Sequence, residues 1–248
     1  MAIDALPFVL DLDLDVFVSP VVEVNGDATY RAGSGEHQVA PEAEIMAAFA
    51  KFELSPDRKV PGAFIEHHRE AYFFWRDLVA SGRLKVPFDV VHVDAHSDLG
   101  NGATTVKLCE RWAAIPDKLN EDPGGRVNSA DYLAFALMNG WVRALVNLRR
   151  PDSPSDVPVI LYKEFDPRTS RFTMKRFATG EIARTCDVGF AGANYEVLHE
   201  IRYAEGMIAE FKPIGRQPDF VFVARSPAFT PVEIDAFEPY IRACLTAL

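Results

Sequence analysis

The run FDVVHVDAHSDLG, residues 88–100, limits the fold more than any other stretch of the chain. Phe88, Val90, Val91 and Val93 make an apolar strand that is expected to be buried. It ends in Asp94, His96 and Asp98, which alternate with Ala95 and Ser97. A carboxylate buried alone is costly and takes up a proton. Several convergent carboxylates become favourable around a divalent cation. Ligands of open α/β sheets gather beyond the carboxyl ends of the strands. The run therefore predicts a metal site at such an end.

Two other stretches have the same character. FVLDLDLDVFV, residues 8–18, has strand period with Asp11, Asp13 and Asp15 on one face. Same-face neighbours on a strand stand about 6.6 Å apart. Asp13 and Asp15 are thus the expected ligands, with Asp11 a deeper acceptor. His67 and His68 fall where the strand of PGAFIEHH should meet the helix of REAYFFWRDLVASG. Neutral imidazole is a common ligand of first-row metals. Asp13, Asp15, His68, Asp94, His96 and Asp98 form an oxygen-rich, mixed set suited to Mn2+. Two divalent ions would balance the four aspartates.

Elsewhere strands alternate with helices. Helices are expected from Pro41, over REAYFFWRDLVASG with Gly82 as its cap, over TTVKLCERWAAI, and from Ser129 to Asn139. Strands are expected at 88–94, VRALVNL, VPVILY and DFVFVA, with RFTMKRF at an edge. Residues 22–40 and 117–128 read as loops, and 180–200 fit no single element. Thr230 to Glu233 make a capping box for a final helix with Ile234, Phe237, Ile241 and Leu245 inward. The pattern predicts an α/β fold, three layers in αβα order around a mainly parallel sheet, as one domain over residues 1–248. A hydrophobic content of 48% supports such a core. The net charge of −10, without a Lys/Arg block, argues against a nucleic-acid partner. No apolar run reaches membrane-span length, and Cys109, Cys186 and Cys244 show no pairing or zinc spacing. A cytoplasmic protein is expected; nothing here fixes its oligomeric state.

Taken together, these residues make the chain resemble the arginase, or ureohydrolase, superfamily. Those enzymes carry Asp-Ala-His-x-Asp at one strand end, Asp-x-Asp at a neighbouring end and an earlier His, which together bind two Mn2+. Here Asp94, His96 and Asp98 match the first motif, Asp13 and Asp15 the second, and His68 the lone His. Glu66, His68 and Glu70 further resemble the Glu-x-His-x-Glu pattern of a divergent arginase-like family that includes peptide arginases. The likeness covers most of residues 8–148, and ARSPAFTP at 224–231 adds to it. It implies an Mn-dependent hydrolase that converts arginine in a peptide to ornithine and urea. Asp94, His67 and Glu66 are then the catalytic candidates, Asn128 and Glu70 the substrate-binding ones, with His92 a further acid/base candidate.

There are two departures from the superfamily. Its Asp-x-Asp strand follows the Asp-Ala-His-x-Asp strand, whereas here it comes first, so a rearranged strand order is implied. The superfamily's Asn-x-His segment is represented by Asn128, but Ala130 takes the His position. A small guanidino substrate such as arginine or agmatine is the first alternative. A non-catalytic metal-binding or regulatory protein is the second. An aspartate-nucleophile phosphatase fits less well, because Phe17 falls where its motif needs Thr or Val, and DAHSD is left unexplained. If both acidic strands feed one centre, strand 8–16 must lie beside and parallel to strand 88–94.

Overall fold

A computed structural model describes residues 6–23, 31–113 and 126–248. Its elements run β1 (Phe8–Asp13), β2 (Val18–Ser19), β3 (Gln38–Val39), α1 (Glu42–Lys51), β4 (Val60–Ile65), α2 (Glu70–Ala80), β5 (Phe88–Val93) and α3 (Ala103–Ala113). They continue with α4 (Tyr132–Met138), β6 (Val142–Arg149), β7 (Arg171–Phe177), α5 (Glu181–Val188), β8 (Tyr195–Met207), β9 (Phe220–Ala224), α6 (Glu238–Ala243) and β10 (Leu245–Thr246).

Eight strands form one sheet in the order β10-β4-β9-β1-β5-β6-β8-β7. Its neighbours pair parallel except β7, which lies antiparallel to β8 at the edge. β1 pairs with β5 in parallel, with Asp11 opposite His92. The two acidic strands are therefore neighbours, as a shared centre requires.

Strand periodicity sorts the side chains into two cores. Leu10 and Leu12 join Val91, Val93, Val221 and Val223 beneath Ile45 and Phe49 of α1 and Ile241 of α6. Val9, Val90 and Phe222 face the other way, against Tyr72 and Trp75 of α2 and Phe135 of α4. Helices thus cover both faces, giving the αβα layers of an α/β fold. Asp11 and His92 share the parity of Val9 and Val90, so both project into the α2/α4 layer and are fully buried. Among the described residues no helix is long and apolar enough to cross a membrane.

The local differences from the expected elements have physical causes. VPVILY is not a strand but a 3-10 turn over Val159–Leu161. The Lys175 ammonium draws the carbonyls of Ile160, Leu161 and Tyr162 to one point. Successive carbonyls of a strand point in opposite directions and cannot do this. Thr230 does not cap a helix; its hydroxyl donates to the carbonyls of Arg225 and Ser226. The segment after it is a 3-10 turn over Val232–Phe237, and α6 starts only at Glu238. α4 starts after Asp131 rather than at Ser129. Residues 180–200, which matched no single pattern, contain α5 and the start of β8. The expected loops at 22–40 and 117–128 lie partly outside the described residues.

Candidate metal centre

β1 ends at Asp13, and the chain then tightens into a 3-10 turn over Leu14–Phe17. Asp13 Oδ1 accepts the Asp15 N–H at 3.0 Å, which fixes the turn. Asp15 consequently leaves the strand and swings toward the end of β5. Its Oδ1 accepts the Ala95 N–H at 3.1 Å, and its Oδ2 lies 3.0 Å from His96 Nδ1. Asp94 follows β5 directly and accepts the His96 N–H on Oδ1 at 2.7 Å. Asp98 has φ +50, a left-handed conformation that costs a non-glycine residue about 1–3 kcal/mol. Ser226, beyond the end of β9, has φ +48, and its hydroxyl donates to Asp13 Oδ2.

His68 stands at the centre of the cluster, in the turn between β4 and α2. Its Nδ1 lies 2.9 Å from Asp94 Oδ2, 2.9 Å from Asp98 Oδ2 and 3.3 Å from Asp13 Oδ2. One ring nitrogen has one hydrogen at most and cannot serve three carboxylates. Asp98 Oδ2 is in fact buried without a hydrogen-bond partner. The other ring nitrogen, Nε2, lies 3.1 Å from Asp11 Oδ1 and 3.0 Å from the Tyr132 hydroxyl. Tyr132 donates to Asp11 Oδ2, which is also 3.1 Å from His92 Nδ1. Once the ring gives up its second proton, an Nε2–H held by Asp11 would leave the Nδ1 lone pair for an ion among the three carboxylates. A metal-ligating histidine needs this tautomer, with its outer N–H on a carboxylate.

The charges do not balance within the protein. Asp11, Asp13, Asp15, Asp94 and Asp98 are all buried, and among the described residues none is paired to Lys or Arg. Burial, with Asp13 and Asp94 beside it, pushes the Asp15 carboxyl well up. Burial and Asp94 push Asp98 up to about 7. Burial opposes the charged form of His96, yet Asp15 and Asp94 overcome it and push the ring up to about 12. Against burial in the same way, Asp11, Asp13 and Asp94 hold His68 well above its ordinary range. Asp11 goes the other way: despite burial, His68 and His92 hold it down at about 2. Protons thus stand in for cationic charge that the donor set lacks. Among the described residues four overlapping groups of atoms are close enough to hold an ion: Asp13, His68 and Asp94; Asp15, Asp94 and His96; His92, Asp94 and Asp98; and Asp11, His68 and His92. Asp94 belongs to three of them.

A cavity of about 450 Å³ opens over Asp13, Asp15, Asp94, His96 and Asp98. Its remaining wall includes Asn101, Asn128, Asp131 and Asp156, and among the described residues no Lys or Arg lines it. Asn128 is engaged locally. Its Nδ2 donates to Asp131 at 2.9 Å, and its Oδ1 accepts the Ala130 N–H. The other sequence candidates lie outside the cavity. Glu66 and His67 are exposed; Glu66 sits 3.4 Å from Arg225 at the surface. Glu70 accepts the His67 N–H at 2.8 Å, closing the first turn of α2. Their adjacency to His68 in sequence misleads, because the turn sends His68 inward and its neighbours outward. Tyr132 and Ser226 were not among the sequence candidates, although Ser226 lies in the ARSPAFTP stretch that adds to the likeness. Asp11 and His92 had the strand parity that aims them inward. No protein-family model matches the chain, and no curated protein matches it in sequence.

Proposed function

We propose that the chain is a binuclear, metal-dependent hydrolase of the arginase type that converts arginine residues in a peptide to ornithine with release of urea. The observation that carries this reading is that Asp13, Asp15, His68, Asp94, His96 and Asp98 fall into overlapping groups of ligand atoms that share Asp94, while the buried Asp98 Oδ2 has no hydrogen-bond partner. Two Mn2+ ions suit this oxygen-rich set, and divalent ions there supply activation of water at neutral pH.

The chain's own groups account for the rest. A guanidinium carbon is a poor electrophile, so the substrate must be held in line with its nucleophile. The acidic cavity draws in a cationic side chain and raises its local concentration. Asp156, at the rim, accepts the Ser97 N–H on one oxygen at 3.3 Å and leaves the other for a guanidinium N–H. Asp131 lines the same cavity and is pushed up to about 6 by burial, against its bonds from Asn128. Its carboxyl can take and return a proton near neutral pH, the property required of a group that protonates a departing amine.

The lining also favours one substrate form. Free arginine brings an α-carboxylate, which this acidic wall would repel and which no Lys or Arg among the described lining residues would pair. Arginine within a peptide presents neutral amides instead. Agmatine, which lacks the carboxylate, is the second reading. Incubation of the Mn2+-loaded protein with an arginine-containing peptide should release urea and remove the mass of CN2H2 per converted residue. Urea from agmatine or free arginine, and from no peptide, would overturn the peptide assignment.

A further inference from the structure

A second groove adjoins the central cavity. It has a volume of about 230 Å³, shares Gly100, Asn101 and Asp156 with the cavity, and is further lined by Pro158, Val159 and Phe190. This wall is apolar and open: Val159 is 43% exposed. Among the described residues no Lys, Arg or Glu lines it.

The wall is also held rigidly. Lys175, 2% exposed, reaches beneath it from β7. Its ammonium donates to the carbonyls of Ile160 at 2.9 Å, Tyr162 at 2.8 Å and Thr173 at 3.0 Å, with Leu161 at 3.4 Å. The same ammonium lies 4.8 Å from the centre of the Phe165 ring. Phe165 in turn stacks on Phe190 at 4.5 Å, with 10° between the planes. Glu164 and Phe165 both carry positive φ, 56° and 59°, which residues with a Cβ rarely adopt. A buried cation and two strained residues thus present an aliphatic and aromatic lip to solvent beside the acidic cavity. Such a preorganised apolar wall favours a ligand that buries apolar surface.

We infer that this groove is a specificity subsite that takes the apolar side chain of a residue neighbouring the reacting arginine in a polypeptide. The inference rests on the peptide reading above. Continuity with the central cavity lets one chain occupy both. The Asp156 carboxylate at the junction disfavours an acidic neighbour, so the expected order is leucine or phenylalanine, then glycine, then aspartate.

The test is calorimetric binding of capped peptides, with arginine flanked by leucine, glycine or aspartate, to the Mn2+-loaded protein. The leucine peptide should bind about tenfold or more tightly than the glycine peptide, as expected for burying one such side chain. Val159→Asp, at an exposed position, and Phe190→Ala should each bring that ratio to within about twofold. Metal content and thermal midpoint would report that both variants are folded. Equal binding of the three peptides by the wild-type protein would overturn the subsite. So would a preference that survives Val159→Asp, or no binding of any peptide. A Val159-dependent preference without urea release would support the subsite and overturn the hydrolytic reading alone.

Discussion

The molecule buries charge in two places and treats it in opposite ways. At the edge of the sheet, Lys175 takes its ammonium into the interior and meets carbonyls of Ile160, Tyr162 and Thr173 within 3.0 Å. Those acceptors belong to the fold, so the charge is satisfied by the protein itself. At the carboxyl ends of β1 and β5, aspartates face one another around His68, and Asp98 Oδ2 has no hydrogen-bond partner. Burial alone therefore does not mark function. What separates the two sites is whether the protein supplies polar partners for the buried charge. An incomplete set of donors points to something bound from outside.

The comparison breaks most sharply at Asp94, the carboxylate shared by three of the four candidate ligand groups. Asp94→Asn should remove at least one ion from the centre. Urea release should fall by more than the roughly 100-fold typical of losing an outer partner of a metal ligand. Steady-state assay beside elemental analysis would check this, and an active, fully loaded Asp94→Asn protein would contradict it. Tyr132→Phe tests the layer behind the ligands. It deletes the hydroxyl that donates to Asp11 and neighbours His68 Nε2, and leaves the ring packing in place. Metal affinity should drop by about 10- to 100-fold, as read by competition with a chelator, while the thermal midpoint of the metal-free protein stays near wild type.

At the other site the expected effect is on stability. Lys175→Met leaves buried carbonyls without their donor and should cost about 2 kcal/mol at pH 7. Burial pushes the Lys175 ammonium down to about 8, against 10.5 unperturbed. Between those values the unfolded chain binds more protons than the folded one, so this residue's contribution to stability rises with pH. Denaturant titrations from pH 7 to 10.5 should show the gap between wild type and Lys175→Met widening across that window. A constant gap would mean that the ammonium titrates normally. The smallest effects belong to the neighbours of His68. Glu66→Gln and His67→Ala alter exposed groups outside the cavity and should change urea release less than about twofold, with at most about 1 kcal/mol in stability. A large loss of activity would return them to the chemistry.

Much of the centre was legible because strand parity and apolar runs are local signals. The run ending in DAHSD placed Asp94, His96 and Asp98 at a strand end, and the alternation of residues 8–16 aimed Asp11 and Asp13 inward. Asp15 departs from that alternation because Asp13 caps a 3-10 turn, a choice made by two neighbouring residues rather than by period. Other features depend on distant partners. Residues 158–162 have strand composition, yet a lysine more than ten positions away in sequence gathers their carbonyls. Tyr132 and Ser226 join the centre through packing of α4 and the end of β9, which no spacing encodes. His67 and Glu66 illustrate the opposite hazard, since adjacency in sequence put them next to a ligand and the turn before α2 carried them to the surface.

The central claim is that the carboxylates at the ends of β1 and β5 lack a cation the protein does not supply. Titration of the metal-free protein with Mn2+ in a weakly buffered solution, following heat and proton release together, tests it most directly. Two ions per chain are expected, with protons released on binding, since Asp98 is held at about 7 and His96 at about 12 by the metal-free cluster. Affinity should therefore rise with pH from 6 to 8. Saturation should also raise the thermal midpoint by about 5–10 °C once Mn2+ is a hundredfold above its dissociation constant. Absence of binding at millimolar Mn2+, Fe2+, Co2+ and Zn2+, or binding without proton release, would contradict the account.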